Sequence, residues 1–238
     1  VQCGGRVYRG MATNAHIVSY AYETCRIDPR TSRCFYNNPY DLQPNYEAAV
    51  AAHNVHLATN SLGANIAQNG YPCSWLGDYE ISSRLLDGIA FGNIIAAVKN
   101  FLVVFSAGNE RGPVRCGTAY GTAGVPGSTA KNLLSVGAVY SDDRVITLFS
   151  SLGPTDDGRV KPDVVATGCQ RGGDNGVTSA DAGTSYIALC GTSMAAPAVA
   201  GTAALLLQAY RDKSWTATYP FTANSISGAT IKDILIHT

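Results

Sequence analysis

The sequence predicts an α/β fold built on a parallel sheet, and three observations lead there. Residues 102–105 (Leu-Val-Val-Phe) form a continuous apolar run that stops at small and polar residues. That is the pattern of a strand buried on both faces, as in a parallel sheet. Strand-like and helix-like stretches then alternate, as βαβ units do, which puts sites at the carboxyl ends of the strands. Finally, a serine between small residues opens an apolar run over 191–207, where Val199, Ala203, Leu206 and Tyr210 share one helical face.

Taken in order, residues 7–20 give a Gly-Met-Ala turn and then an extended strand over 15–20 that contains His16. Residues 21–43 read as a loop insert, 45–53 as a short helix, and 55–61 as a strand ended by Ser61, Leu62 and Gly63. Residues 64–80 mix Asn, Gly, Pro, Cys and Trp without a period and read as loop. A helix is expected over 81–100, with Ile81, Leu85, Ile89, Ala96 and Val98 among its apolar positions. The strand at 102–105 leads into Ser106, Ala107, Gly108, Asn109 and Glu110. A turn over 123–128 precedes a strand over 132–139, and the Gly/Ser/Asp/Asn-rich stretch 170–185 reads as a surface loop. In the serine helix, Pro197 is counted with the first-turn positions, whose N–H groups have no intrahelical partner. Residues 211–226 are irregular, and another helix begins at 228–236. No repeat or linker divides the chain, so residues 1–238 are read as one domain.

With 238 residues, 46% of them hydrophobic, the chain has enough apolar surface for one substantial core. Its 17 basic and 17 acidic residues cancel, which speaks against nucleic acid or an anionic membrane as partner. The apolar runs around 94–105 and 195–207 are too short or too interrupted to cross a bilayer. Seven cysteines suit an oxidising compartment, and the absence of Cys-x-x-Cys weakens a zinc reading. Cys25 and Cys34 bracket an insert and are placed to close it, whereas Cys3, Cys73, Cys116, Cys169 and Cys190 cannot be paired from sequence. The chain starts at Val1 with no signal peptide, so a processed or truncated product is expected.

The chemistry centres on Ser193. Small neighbours let a substrate backbone come close, and a helix starting there aims its free N–H groups and positive dipole end at the hydroxyl. Such a place suits a nucleophile whose reaction creates an oxyanion. Residues 191–201, Gly-Thr-Ser-Met-Ala-Ala-Pro-Ala-Val-Ala-Gly, resemble the active-site serine block of the subtilisin family of serine proteases. The Gly-x-Ser-x-Gly elbow of lipases and esterases is not matched, because Ala195 stands where its second glycine belongs. Two further stretches carry the resemblance. One is Gly10-Met11-Ala12, with Thr13 in place of the family's proline; the other is the Asp-Gly-Arg-Val-Lys-Pro-Asp run at 157–163.

The resemblance implies a three-layer α/β domain, incomplete at its amino-terminal side, acting as a serine endopeptidase through an acyl-enzyme on Ser193. By the same resemblance Asn109 supplies an amide donor to the oxyanion. Ser61, Leu62 and Gly63 form the edge along which an extended peptide lies. Ala107 and Gly108 line the pocket for the side chain before the cleaved bond, leaving room for broad or apolar and aromatic preference. Thr192 is assigned to substrate binding. The blander readings, an Ala-rich buried helix and an Asn that merely ends a strand, do not explain both blocks in one chain.

The family's Asp and His blocks are missing. Of the histidines, His16, His53, His56 and His237 have no Gly/Thr context, and Asp28, Asp41 and Asp78 lie in loops without the family's wording. A serine needs a base held by a carboxylate. The chain is therefore expected to be a catalytic-domain fragment, inactive alone, from a secreted, monomeric enzyme with a protein or peptide substrate and no cofactor. Calcium is a common structural ion in the family; Asp142-Asp143 and Asp156-Asp157 are oxygen donors in turns, but no metal is assigned. The rival reading is a non-catalytic peptide-binding module using the same groove.

Overall fold

The computed structural model describes residues 2–3, 6–7, 9–20, 26–27, 34–35, 42–94, 101–112, 116–117, 121–124, 127–181, 185–212 and 226–238. Two short antiparallel pairs come first, β1 (Gln2–Cys3) with β2 (Arg6–Val7) and β3 (Arg26–Ile27) with β4 (Cys34–Phe35). The helix α1 (Leu42–His53) leads to β5 (Leu57–Asn60), followed by a single turn α2 (Ile66–Asn69) and a 3₁₀ turn at Cys73–Trp75. Then come α3 (Ile81–Phe91), β6 (Leu102–Ser106), β7 (Leu134–Tyr140) and β8 (Val164–Cys169). A hairpin of β9 (Val177–Ala180) and β10 (Tyr186–Leu189) precedes α4 (Thr192–Arg211), and α5 (Gly228–His237) closes the order.

The four strands β5-β6-β7-β8 form one parallel sheet in sequence order. Alternation along β6 shows why it is fully apolar. Val103 and Phe105 pack with Leu42, Tyr46, Leu85, Leu86 and Ile89 from α1 and α3. Leu102 and Val104 pack instead with Ala195, Ala196, Val199, Ala200 and Ala203 of α4 and Ile231 of α5. Both faces are buried, so both residue sets must be hydrophobic, and three layers result. Among the described residues α4 alone is long and apolar enough to cross a membrane, which corrects the expectation that no run suffices. Its small-residue face packs on the sheet, which accounts for that composition.

Several expectations are revised. Residues 15–20 form no strand with any described residue; Ile17 is 88% exposed and the segment lies on the surface. The helix expected over 81–100 ends at Phe91, where Gly92 adopts φ 79° and its N–H returns to Gly88 and Ile89. Residues 64–80 hold two single turns, and 170–185 contain β9 and the approach to β10. The strand β8 carried no sequence signal of its own. Pro197 is the sixth residue of α4, beyond the four positions with free N–H groups. Its missing N–H would have paired with the Ser193 carbonyl. The pairing of Cys25 with Cys34, the positions Ala96 and Val98, the aspartates Asp28 and Asp41, and residues 213–225 lie outside the described residues.

Among the described residues two disulfides are formed, Cys73–Cys116 and Cys169–Cys190, spanning 43 and 21 residues. The second ties the end of β8 to Cys190, two residues before the serine helix begins. Closing loops of these lengths stabilises a domain by about 2–4 kcal/mol each.

Candidate active site

The carboxyl ends of β5, β6 and β8 meet the amino end of α4. Gly191 precedes α4 and offers no side-chain cap, so the first-turn N–H groups depend on neighbours. The Thr192 backbone N–H donates to Asn109 Oδ1 at 3.0 Å, and the Thr192 hydroxyl donates to the same oxygen at 3.0 Å. Asn109 thus caps the serine helix from a different strand. A backbone N–H needs an acceptor, so this bond fixes which way the amide points. The amide nitrogen lies on the Gly191 side: a β-carbon at Gly191 would stand 3.5 Å from Asn109 Nδ2.

Thr192, fully buried, also accepts from the Gly108 N–H at 3.2 Å. Gly108 needs its glycine: φ is +102°, and a β-carbon would meet Ser151 Oγ at 3.0 Å and Gly124 Cα at 3.3 Å. Ser151 secures the loop from below, its N–H donating to the Gly108 carbonyl at 2.9 Å and its hydroxyl accepting from the Glu110 N–H at 3.0 Å. Ala107 is buried, and its carbonyl accepts from the Gly124 N–H at 3.0 Å.

On the β5 side, the Ser61 hydroxyl donates to the Ser193 carbonyl at 2.9 Å, and the Leu62 carbonyl accepts from the Ser106 hydroxyl at 3.2 Å. A β-carbon at Gly63 would meet nothing within 4 Å, so this edge opens outward. Buried Glu110 accepts from the Ala67 N–H at 3.1 Å and joins the β5 and β6 loops. Five of the eight sequence-assigned residues are brought together by hydrogen bonds that run Ser61–Ser193, Thr192–Asn109 and Thr192–Gly108; Leu62, Gly63 and Ala107 adjoin them in sequence, with Leu62 bonded to Ser106 and Ala107 to Gly124. Sequence reasoning missed Ser151, Glu110 and Gly124 as supports; their neighbours in space are distant in the chain, and no local pattern marks them.

No histidine hydrogen-bonds to Ser193 among the described residues. His56 lies by Arg211: burial first, and that arginine's charge second, lower its pKa from 6.5. Arg211 is at the far end of α4, eighteen residues and about 27 Å along the helix from Ser193. His16, His53 and His237 are exposed. Three of the four aspartates considered for calcium meet protein donors: Asp142 accepts from the N–H groups of Arg171 and Gly172, Asp143 pairs with Arg171, and Asp157 accepts from Thr155 and Arg159. No cluster of three metal-type ligands occurs among the described residues.

Fold and site together define an α/β protein whose candidate nucleophile sits on a helix amino end beside a pinned amide. The chain belongs to the Subtilase family (peptidase S8), which it matches over residues 4–238. It is 39% identical over 101 residues to "Serine protease AprX" of Bacillus subtilis (strain 168), covering 37% of this chain and 23% of that protein. It is 35% identical over 114 residues to "Subtilisin-like protease SBT6.1" of Arabidopsis thaliana, covering 45% and 10%. The chain thus spans a quarter or less of these relatives. Among solved structures, the protease domain of PatA, as a mutant, superposes with TM-score 0.57 at 22% identity, covering 87% of this chain and 59% of that one. The prenylagaramide maturation protease PagA superposes at 0.53 and 22%, covering 76% and 53%. These likenesses establish the fold.

Proposed function

We propose that this chain is the nucleophile-bearing part of a subtilisin-like serine endopeptidase. Ser193 attacks the peptide carbonyl, and the Asn109 amide with the Ser193 N–H receives the oxyanion. The observation that supports this most is the Asn109–Thr192 pair. With Oδ1 engaged by the helix, the N–H bonds of Nδ2 beside Gly191 have no acceptor among the described residues and are oriented for a ligand. A preoriented donor costs no reorganisation when charge develops, which is what an oxyanion site requires. Ser61, Leu62 and Gly63 take an extended peptide as an added strand, and the small residues Ala107 and Gly108 leave room for a broad or apolar side chain.

The base and its carboxylate are assigned to sequence outside these 238 residues; this rests on the missing Asp and His blocks and on the absence, among the described residues, of a histidine hydrogen-bonded to Ser193. The working enzyme is a secreted monomer; two disulfides support an oxidising compartment. This chain alone should cleave peptides negligibly. Joined to its native neighbouring sequence it should cleave them, and Ser193→Ala should abolish the activity. Robust Ser193-dependent cleavage by the isolated chain would demand a different base. The placement of the histidines also favours one rival, a peptide-binding module without catalysis. Such a protein would bind peptides in the same groove yet lack Asp and His blocks in its complete sequence.

A further inference from the structure

The proline in the serine helix and the serine on the groove edge are complementary. Pro197 has no N–H to donate to the carbonyl four residues earlier, which belongs to Ser193. That carbonyl instead receives the Ser61 hydroxyl, 132 residues away in sequence, at 2.9 Å. We infer that Ser61 is a positioning residue for the nucleophile, and that Pro197 is what makes the position available. An ordinary residue at 197 would bring an intrahelical donor to the Ser193 carbonyl and set it in competition with Ser61. With proline present, the backbone of the nucleophilic residue is fastened to the strand edge that holds the substrate. Asn109 fastens the preceding residue through the Thr192 N–H. The two attachments come from different strands, β5 and β6, and bracket Ser193 on both sides of its backbone. Substrate seated against 61–63 therefore meets a hydroxyl whose own peptide unit is anchored to the same edge. The groove wall and the attacking atom keep their separation when the helix moves.

This inference deepens the endopeptidase reading and rests on it for its kinetic consequence, while its structural core can be tested separately. The native protein, Ser61→Ala, Pro197→Ala and the double variant form a cycle. Measured for peptide cleavage in the complete catalytic domain, Ser61→Ala is expected to lower kcat about tenfold with KM within about twofold, the loss of one well-placed hydrogen bond. In the Pro197→Ala background the same change should cost less than about twofold, because the residue 197 N–H now serves the carbonyl. Ser61→Thr keeps the hydroxyl and should restore kcat. The same four changes in this 238-residue chain should give non-additive urea midpoints, with Ser61→Ala lowering the midpoint only when Pro197 is present. An equal loss in both backgrounds overturns the coupling, and a loss confined to KM returns Ser61 to peptide binding alone. If every complete-domain protein is inactive but the midpoints remain non-additive, the endopeptidase reading has failed and the coupling stands.

Discussion

The parallel sheet carries a buried polar network at each end, and the two are built differently. At the amino end, Asp163 Oδ2 accepts from the Ser135 N–H at 2.7 Å and from Lys161 at 2.8 Å, while Lys232 approaches Oδ1 at 3.5 Å. Lys232 also donates to the carbonyls of Leu133 and Lys131, tying α5 to β7. Asp163 gathers these donors on one carboxylate, although the buried Ser135 hydroxyl has no partner among the described residues, and burial first, with the charges of Lys232 and Arg159 adding to it, lowers the Lys161 pKa from 10.5 against the raising influence of Asp163. At the carboxyl end, Thr192 and Gly108 hold Asn109 Oδ1 and the helix start together, and the Asn109 amide nitrogen lies on the Gly191 side with no hydrogen-bond acceptor among the described residues. One network gathers buried charge on a carboxylate; the other leaves an oriented donor without a described partner.

The largest test of this contrast removes the carboxylate at the centre of the amino-end network. Asp163→Ala leaves buried Lys161 without its carboxylate and should cost about 3–5 kcal/mol in urea denaturation. A cost below about 1 kcal/mol would show that Asp163 does not hold the buried Lys161 charge as described. Asn109→Leu acts at the other end. In the complete domain it should lower kcat about 10²–10³-fold, the magnitude already measured for such a donor in a subtilisin, while folding loses only about 0.5–2 kcal/mol for the missing cap. A kcat within threefold of native would remove Asn109 from the oxyanion site. Thr192→Val is smaller still. It leaves the Gly108 N–H without its acceptor and should cost about 1–3 kcal/mol of stability, with kcat reduced because the amide has lost one of its two anchors. The smallest effect lies outside both networks. The Arg159 hydrogen bond, with Thr155 second, holds the Asp157 pKa down to about 2 from 3.8. Its contribution is fully present above pH 3.8 and lost as pH falls through about 2, so Asp157→Asn should flatten acid unfolding in that window.

How much of this could be read from the sequence depended on whether the signal was local. The strand β6 announced itself by five apolar or small residues in a row, and α4 by small residues on one face, because each buries against neighbours the pattern itself implies. The hairpin of β9 and β10 did not, since its strands are four residues each, largely exposed, and set in Gly, Ser and Asp. Helix α3 was read too long because Gly92 stops it only by taking a left-handed conformation, which an isolated Gly does not advertise. The serine block gave Ser193, and Ala-Gly-Asn gave Asn109. The orientation of the Asn109 amide, the Cys169–Cys190 pairing and the link from Ser61 to Ser193 all join residues 21 to 132 positions apart. Such contacts exist only once the sheet has assembled.

The central claim is that Ser193 is the reactive hydroxyl of a site completed by groups outside this chain. The most direct measurement exposes the complete catalytic domain to a fluorophosphonate and identifies the modified residue by peptide mass spectrometry. The account predicts one label per molecule, on Ser193, lost in Ser193→Ala and absent from the isolated 238-residue chain. A label on another residue, or none while peptide cleavage proceeds, would contradict it.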